Sequence, residues 1–359
     1  MEFDIHPEIE RSSTLPGSFY TRQDVFEALR ERVFARSWQW IGHASEVERA
    51  GDAHPFELLP GLLDEPLVLV RDEHGVLRCL SNVCTHRGNL VCTAASQRGR
   101  LRCEYHGRRF GLDGAFESMP EFEGALDFPS AAEDLPRVAT ADLGGQLFAS
   151  LSPAHPFEDL VRDVHQRLGH LDLAQLRYDE ARSRDYVVEA NWALYVDNYL
   201  EGFHVPFVHP GLARVLDYRN YSVETQPLSS LQVGHASATG PVFEPAPDGA
   251  RTDPAVAAYY YWLFPNTMLN FYPWGLSVNV VQPLAVDRTR VMFRTYVGRP
   301  ELLDQGAGGA LDQVELEDEA VVEQVQRGVR SRLYRRGRYS PRRELAVHHF
   351  HRLLQAALA

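Results

Sequence analysis

Two short segments constrain this chain more than anything else in it: Cys84-Thr85-His86-Arg87-Gly88 and Cys103-Glu104-Tyr105-His106-Gly107, with sixteen residues between His86 and Cys103. Each offers one thiolate and one imidazole beside a glycine. A tight loop lets such a pair converge on one point, which a regular helix does not. The fold around them must therefore deliver two loops side by side. From about residue 41 to 151 the sequence is of that kind. Apolar runs such as Pro66-Leu67-Val68-Leu69-Val70 and Gln146-Leu147-Phe148-Ala149 are broken by Gly, Pro and Asp, and Asp72-Glu73-His74-Gly75 sits between two runs as a hairpin turn. This predicts a small all-β unit. Cys79 and Cys92 lie outside the pairs and read as small apolar side chains.

Two thiolates on one iron and two imidazoles on the other is the ligand set of a Rieske [2Fe–2S] cluster, so Cys84, His86, Cys103 and His106 are its candidate ligands. The alternative is a structural zinc site, whose usual spacing is a Cys pair followed by a His pair; two mixed pairs do not fit it. The pattern Cys-x-His-Arg-Gly and Cys-x2-His-Gly resembles the Rieske domain of ring-hydroxylating and related Rieske non-heme iron oxygenases. Cytochrome-complex Rieske proteins add a disulfide between the loops. Asn89, Glu104 and Tyr105 carry no such cysteines here. Arg108 stands where many oxygenases have Trp, a departure expected to bear on docking of the electron donor.

A second constellation lies in the segment 191–210, which reads as helical until Pro206. On a helix Asp197, Glu201 and His204 share a face at i, i+4 and i+7, and a break at Pro206 could bring His209 back toward His204. The late helical pattern over 311–333 supplies a third ligand. Val314, Val321, Val325 and Val329 define an apolar stripe with Asp318 inside it, and an unpaired carboxylate on a buried face needs a cation or strong donors. His204, His209 and Asp318 would form the 2-His-1-carboxylate triad of mononuclear Fe(II) oxygenases. Ordinary polar residues at a helix end are the alternative. Glu201-x2-His204-x4-His209 resembles the iron-binding segment of Rieske oxygenase α subunits, and Glu317, Asp318, Glu323 and Gln326 match the family's setting for the third ligand. Glu at 201, where aromatic-ring dioxygenases carry Asp, resembles the branch with choline monooxygenase and the carnitine and glycine-betaine oxygenases. The resemblance implies an α+β chain: a small all-β Rieske domain over 41–155, and a helix-grip (START-like) catalytic domain from 1–40 and 156–359 with an antiparallel sheet and a long late helix. It also implies a homotrimer in which Glu201 bridges His204 to His106 of the partner subunit.

Elsewhere the sequence mostly excludes. The formal net charge of -13 argues against a nucleic-acid partner. All 36 basic residues are arginine, so no Schiff-base or phosphate-loop lysine exists. No apolar run is long enough to span a membrane, and the acidic start points to the cytoplasm. With no Gly-x-Gly-x2-Gly fingerprint, electrons are expected from a separate NAD(P)H-dependent reductase or a ferredoxin, and the arginine-rich stretch 327–343 reads either as a docking surface for that donor or, at least as readily, as a solvated helix face or a set of ion pairs across a trimer interface. The region 231–257 reads as a mobile loop or lid. The aromatics Tyr259, Tyr260, Tyr261, Trp262, Phe264, Phe271, Tyr272 and Trp274 could cage a quaternary ammonium by cation–π attraction, wall an aromatic substrate, or simply fill a core. The leading expectation is an oxygenase that hydroxylates or oxidatively demethylates a small substrate. An aromatic-ring or aromatic-acid hydroxylase, and an electron carrier lacking a working mononuclear site, are the alternatives.

Overall fold

The computed structural model describes residues 3–236, 240–244, 255–309 and 311–359. It divides into a unit of Ala35–Ala154 and a unit formed by Met1–Phe34 with His155–Ala359. Among the described residues no helix is long and apolar enough to cross a membrane.

The smaller unit is all-β. Seven antiparallel strands run in the order Gln39–His43, Gln146–Ser150, Arg137–Leu143, Leu77–Ser81, Glu65–Arg71, Asp52–Leu58 and Ser96–Gln97. The turn expected at residues 72–75 joins Glu65–Arg71 to Leu77–Ser81. Asp72 Oδ1 accepts from the backbone of His74 and Val76, and Gly75 takes the left-handed backbone (φ 78°) that the turn requires. Three short strands, Leu101–Arg102, Arg109–Phe110 and Phe116–Ser118, make a second sheet, and the 103–107 loop is a hairpin tip within it. Cys84 and Cys103 belong to the apolar core with Val68, Leu80, Leu101 and Phe110. Cys79 is a plain core side chain, its thiol pushed up to about 12 by burial.

The larger unit is built on a seven-stranded antiparallel sheet: Arg177–Val188, Arg288–Val297, Gly275–Ala285, Thr267–Tyr272, Val256–Leu263, Ser229–His235 and Ser222–Gln226. Residues 231–235 of the strand Ser229–His235 fall inside the stretch read as a loop. Every residue of that strand but His235 is buried, so pairing rather than mobility governs it; residues 237–239 and 245–254 of the same stretch lie outside the described residues. The aromatic strand alternates faces as period-2 geometry demands. The Tyr261 hydroxyl donates to Asp163 at 2.5 Å on the helix Glu158–Leu168, whereas Tyr260 meets Tyr272 and lines a cavity. Helices Trp192–Tyr199 and Leu311–Val329 lie across the sheet as a helix-grip fold requires. The helix Leu345–Leu358 was not expected from the sequence. It packs on Ser222–Gln226 and buries Phe350 against Trp192 and Trp262.

Candidate metal centres and the cavity between helix and sheet

In the smaller unit both Cys/His segments close by the same hydrogen bonds. Cys84 N–H donates to the Asn89 carbonyl (2.8 Å) and Gly88 N–H to the Cys84 carbonyl (3.0 Å); Cys103 N–H donates to Arg108 (2.8 Å) and Gly107 N–H to Cys103 (3.0 Å). Gly88 and Gly107 sit at φ 71° and 77°, where a side chain is disfavoured. The repeat sets each cysteine inward and each histidine outward: Cys84 and Cys103 are buried, His86 and His106 half-buried with ring centroids 4.8 Å apart. Burial raises the Cys84 thiol. For Cys103 burial is outweighed by the backbone N–H groups of Tyr105 and His106 and by the Cys84 and Asn89 side chains, and the net direction is down. Two converging thiols with inward N–H groups and two outward imidazoles fit a cluster with one thiolate-held and one imidazole-held iron.

Arg108 does not face a partner. It is 1% exposed, pairs with Glu133, and lies 4.8 Å from the Phe116 ring centroid. The Glu133 carbonyl also accepts from the Thr85 hydroxyl at 2.8 Å. One residue thus braces both loops, through its backbone on the first and its side chain on the second.

In the larger unit the segment 191–210 is not one helix. Asn191 caps Trp192–Tyr199, accepting from Ala193 N–H at 3.0 Å, and the helix stops at Tyr199. Glu201 then folds its carboxylate onto the backbone N–H groups of Phe203 and His204, turning the chain before Pro206 opens the short helix Val205–Val208. Gly202 permits this because the Tyr221 ring would lie 2.8 Å from any Cβ. The shared helical face of Asp197, Glu201 and His204 is therefore absent. Asp197 leaves the site, bonding His351 Nε2 (2.8 Å) and the Tyr20 hydroxyl (2.8 Å).

The turn brings His204 and His209 together, ring centroids 5.0 Å apart. Nδ1 of His204 lies 2.7 Å from Glu201 Oε1, and Nδ1 of His209 2.7 Å from Glu317 Oε2. With each Nδ1 proton held by a carboxylate, both Nε2 lone pairs are free to ligate. They lie 3.4 and 3.0 Å from the same Asp318 Oδ1, and the three candidate ligand atoms all fall within 4.8 Å of one another. This donor set fits a mononuclear iron with open positions.

Asp318 reaches that point because the late helix is stapled to the segment before Trp192. Gln326 Oε1 accepts from Asn191 N–H (2.8 Å) and Glu323 Oε1 from Glu189 N–H (3.0 Å). The helix's buried residues are Glu315, Val322, Gln326 and Val329, and Val325 is 42% exposed. The valine stripe thus misplaced the register, although Asp318 falls on the inner face in both. Glu317 was known only as part of a pattern, and its hold on His209 was not foreseen. Beside the three candidate ligands is a cavity of about 120 Å³, walled by Tyr195, Tyr199, Tyr221, Tyr260, Tyr272 and Phe293 among others. Of the eight aromatics singled out in the sequence, Tyr260 and Tyr272 reach it.

Residues 37–131 match the model of the Rieske [2Fe-2S] domain, and residues 173–359 match that of the ring hydroxylating alpha subunit catalytic domain. The chain belongs to the Rieske oxygenases. The cofactors of such an oxygenase are a Rieske cluster and a mononuclear iron. It is 30% identical to choline monooxygenase of Arabidopsis thaliana over 98% of this chain and 85% of that one, and 32% identical to the carnitine monooxygenase oxygenase subunit of Escherichia coli K12 over 95% and 92%. A solved quaternary ammonium Rieske monooxygenase, CntA, superposes with a TM-score of 0.79 at 25% identity, covering 99% of this chain and 100% of that one. Naphthalene 1,2-dioxygenase of Rhodococcus shares the fold, with a TM-score of 0.74 at 20% identity over 96% and 94%. As a Rieske oxygenase the chain is an oxidoreductase in the choline and carnitine branch.

Proposed function

We propose that this Rieske oxygenase is the terminal component of a two-component system, hydroxylating or oxidatively demethylating a small quaternary ammonium compound with electrons from a separate NAD(P)H-dependent reductase or ferredoxin. Cys84, His86, Cys103 and His106 hold the cluster; His204, His209 and Asp318 hold the iron. The observation that carries the reading is the pair of carboxylate-locked imidazoles, Glu201 on His204 and Glu317 on His209, both aimed at Asp318. The family relation carries the substrate class, since relatives along nearly the whole chain act on choline and carnitine by name.

The balance takes one substrate C–H, one O2, two electrons and two protons, and yields the alcohol and water. Bound at the triad, iron supplies O2 binding and activation. The protein supplies the rest. Glu201 and Glu317 fix the tautomer and aim of each imidazole. The cavity wall presents ring faces to the methyl groups and excludes water from the reacting carbon. By the family resemblance the chain works as a homotrimer, in which Glu201 joins His204 to His106 of the partner subunit.

Glu201→Gln tests this. With iron supplied in excess the variant should hold both metal centres by iron content and visible spectrum, yet form product at least about 10- to 100-fold more slowly. Full turnover would remove the bridging role. With a surrogate reductase, wild-type protein should release formaldehyde or a hydroxylated product from a trimethylammonium compound; product from an aromatic acid alone would replace the substrate class.

A further inference from the structure

Among the polar side chains on the cavity wall that take no part in holding iron, two stand out. Glu315 stands one helical turn before Asp318 and shares its face. It is 6% exposed, and its hydrogen-bond donor is the hydroxyl of Tyr195, another wall residue. Burial pushes its carboxyl well above the usual range; the Tyr195 hydroxyl opposes this, and the charges of Asp318, Glu319 and Asp312 add to it. Burial alone thus favours the neutral acid, and a cation placed beside it would draw out the carboxylate form.

Gln232 is the second. Its register partner across the sheet is Tyr260, whose own partner is Asn270, so the three form one row on the cavity side. Gln232 Nε2 donates to the Tyr199 carbonyl at 2.7 Å. A carbonyl only accepts, so the amide cannot be turned round. Oε1 is left with no protein partner on a side chain 1% exposed. In the same row Asn270 Oδ1 is satisfied by the Tyr199 hydroxyl at 2.6 Å. A buried acceptor without a donor is costly to keep, and this one belongs to a residue of the cavity wall.

We infer that Glu315 and Gln232 select the substrate: the cavity takes a cation bearing a hydrogen-bond donor, a quaternary ammonium alcohol, with the Glu315 carboxylate beside the ammonium and Gln232 Oε1 accepting from the hydroxyl. This rests on the quaternary ammonium reading and narrows it. The carboxylates on the described wall are Glu201, Glu315 and Asp318. The first and last are engaged by the imidazoles, which leaves Glu315 as the counter-charge. A substrate carboxylate would meet these acids as like charges, so a choline-type alcohol fits better than a carnitine-type zwitterion. The rings of Tyr260 and Tyr272, 5.9 Å apart and near perpendicular, complete an aromatic corner for the methyl groups.

The test is calorimetric titration of the cluster- and iron-loaded enzyme under anaerobic conditions. The probes are choline, its neutral shape-mate 3,3-dimethyl-1-butanol, the hydroxyl-free cation n-propyltrimethylammonium, and L-carnitine. Wild type should bind choline about 10- to 100-fold more tightly than each of the other three. Glu315→Gln should lose the preference over the neutral alcohol and keep that over the hydroxyl-free cation; Gln232→Leu should do the reverse, and both should raise KM for choline more than they lower kcat. Equal wild-type affinity for choline and the neutral alcohol overturns the inference without any variant having to fold. So does unchanged choline affinity in both variants, or tighter binding of L-carnitine, either of which leaves the quaternary ammonium reading standing. Failure of wild type to bind any trimethylammonium probe brings down that reading, and this inference with it.

Discussion

The two candidate metal centres are built in opposite ways. Each half of the cluster site is local: one loop closes on itself by two backbone hydrogen bonds, and the second loop repeats the first almost bond for bond. The iron site is assembled at a distance. His209 meets a carboxylate 109 positions away, and two histidines are aimed by two different acids on two different segments. A local site depends on its ligands and little else. A distributed site depends also on residues that bond no metal, and should weaken in steps as these are removed.

The strongest test of that contrast removes one ligand from each centre. Cys103→Ser should abolish the cluster chromophore and leave mononuclear iron bound. Asp318→Ala should do the converse, keeping the colour and losing the lone iron, and either change should lower product formation by about 10³-fold or more because metal chemistry carries the barrier. Iron and sulfide analysis beside the visible spectrum checks both. Loss of both centres from one substitution would show the two units to be interdependent and end the comparison.

Glu317→Gln probes the graded behaviour expected of the distributed site. The imidazole of His209 stays but its orienting carboxylate is gone, so iron affinity should fall about 10- to 100-fold with the cluster untouched. Competition with a chelator measures this. An unaltered affinity would make the His209 contact incidental and the iron site as self-sufficient as the cluster loops.

The same contrast governs what the sequence made legible. Both cluster loops could be read outright, because ligand spacing, glycine and turn lie within five residues of one another. The convergent trio His204, His209 and Asp318 was also legible as a candidate site, but its supports were not. A helix-length pattern hid the stop at Tyr199, since nothing in residues 191–205 breaks a helix as Pro206 does; the break comes from Glu201 capturing its own downstream N–H groups. The late helix was read by its valines, and the inner face turned out to carry Glu315 and Gln326. Hydrophobic periodicity cannot find a face that is polar because it borders a site. The helix Leu345–Leu358 escaped notice although Ala346, Val347, Phe350 and Leu354 recur at helical spacing; two of its other buried positions are His348 and His351.

Arg108 sharpens the comparison from the other side, since its pairing with Glu133 ties the cluster loops to a residue outside them. Its guanidinium favours the ionised Cys84 thiol and pairs with Glu133, which also holds Thr85. Arg108→Met keeps the bulk among the phenyl rings and removes the charge. We expect a loss of about 2–3 kcal/mol in the stability of the small unit, below the usual cost of breaking a buried pair because the Glu133 side chain is 22% exposed and regains water. The cluster's reduction potential should also fall, as a positive charge leaves its surroundings. Thermal unfolding and a redox titration measure the two effects. No change in either would leave the loops wholly self-contained.

The smallest expected effect isolates the loop itself. Gly88 has φ 71°, and nothing lies within 4 Å of where its Cβ would stand. Gly88→Ala therefore creates no collision, and its cost is the left-handed backbone alone, about 1 kcal/mol. At that cost the two bonds that close the loop should hold, so the cluster should assemble with an unchanged spectrum and the unfolding midpoint should drop by a few degrees. Loss of the cluster in this variant would mean that the loop tolerates no relaxation at its glycine, and that the local site, rather than the distributed one, is the more fragile of the two.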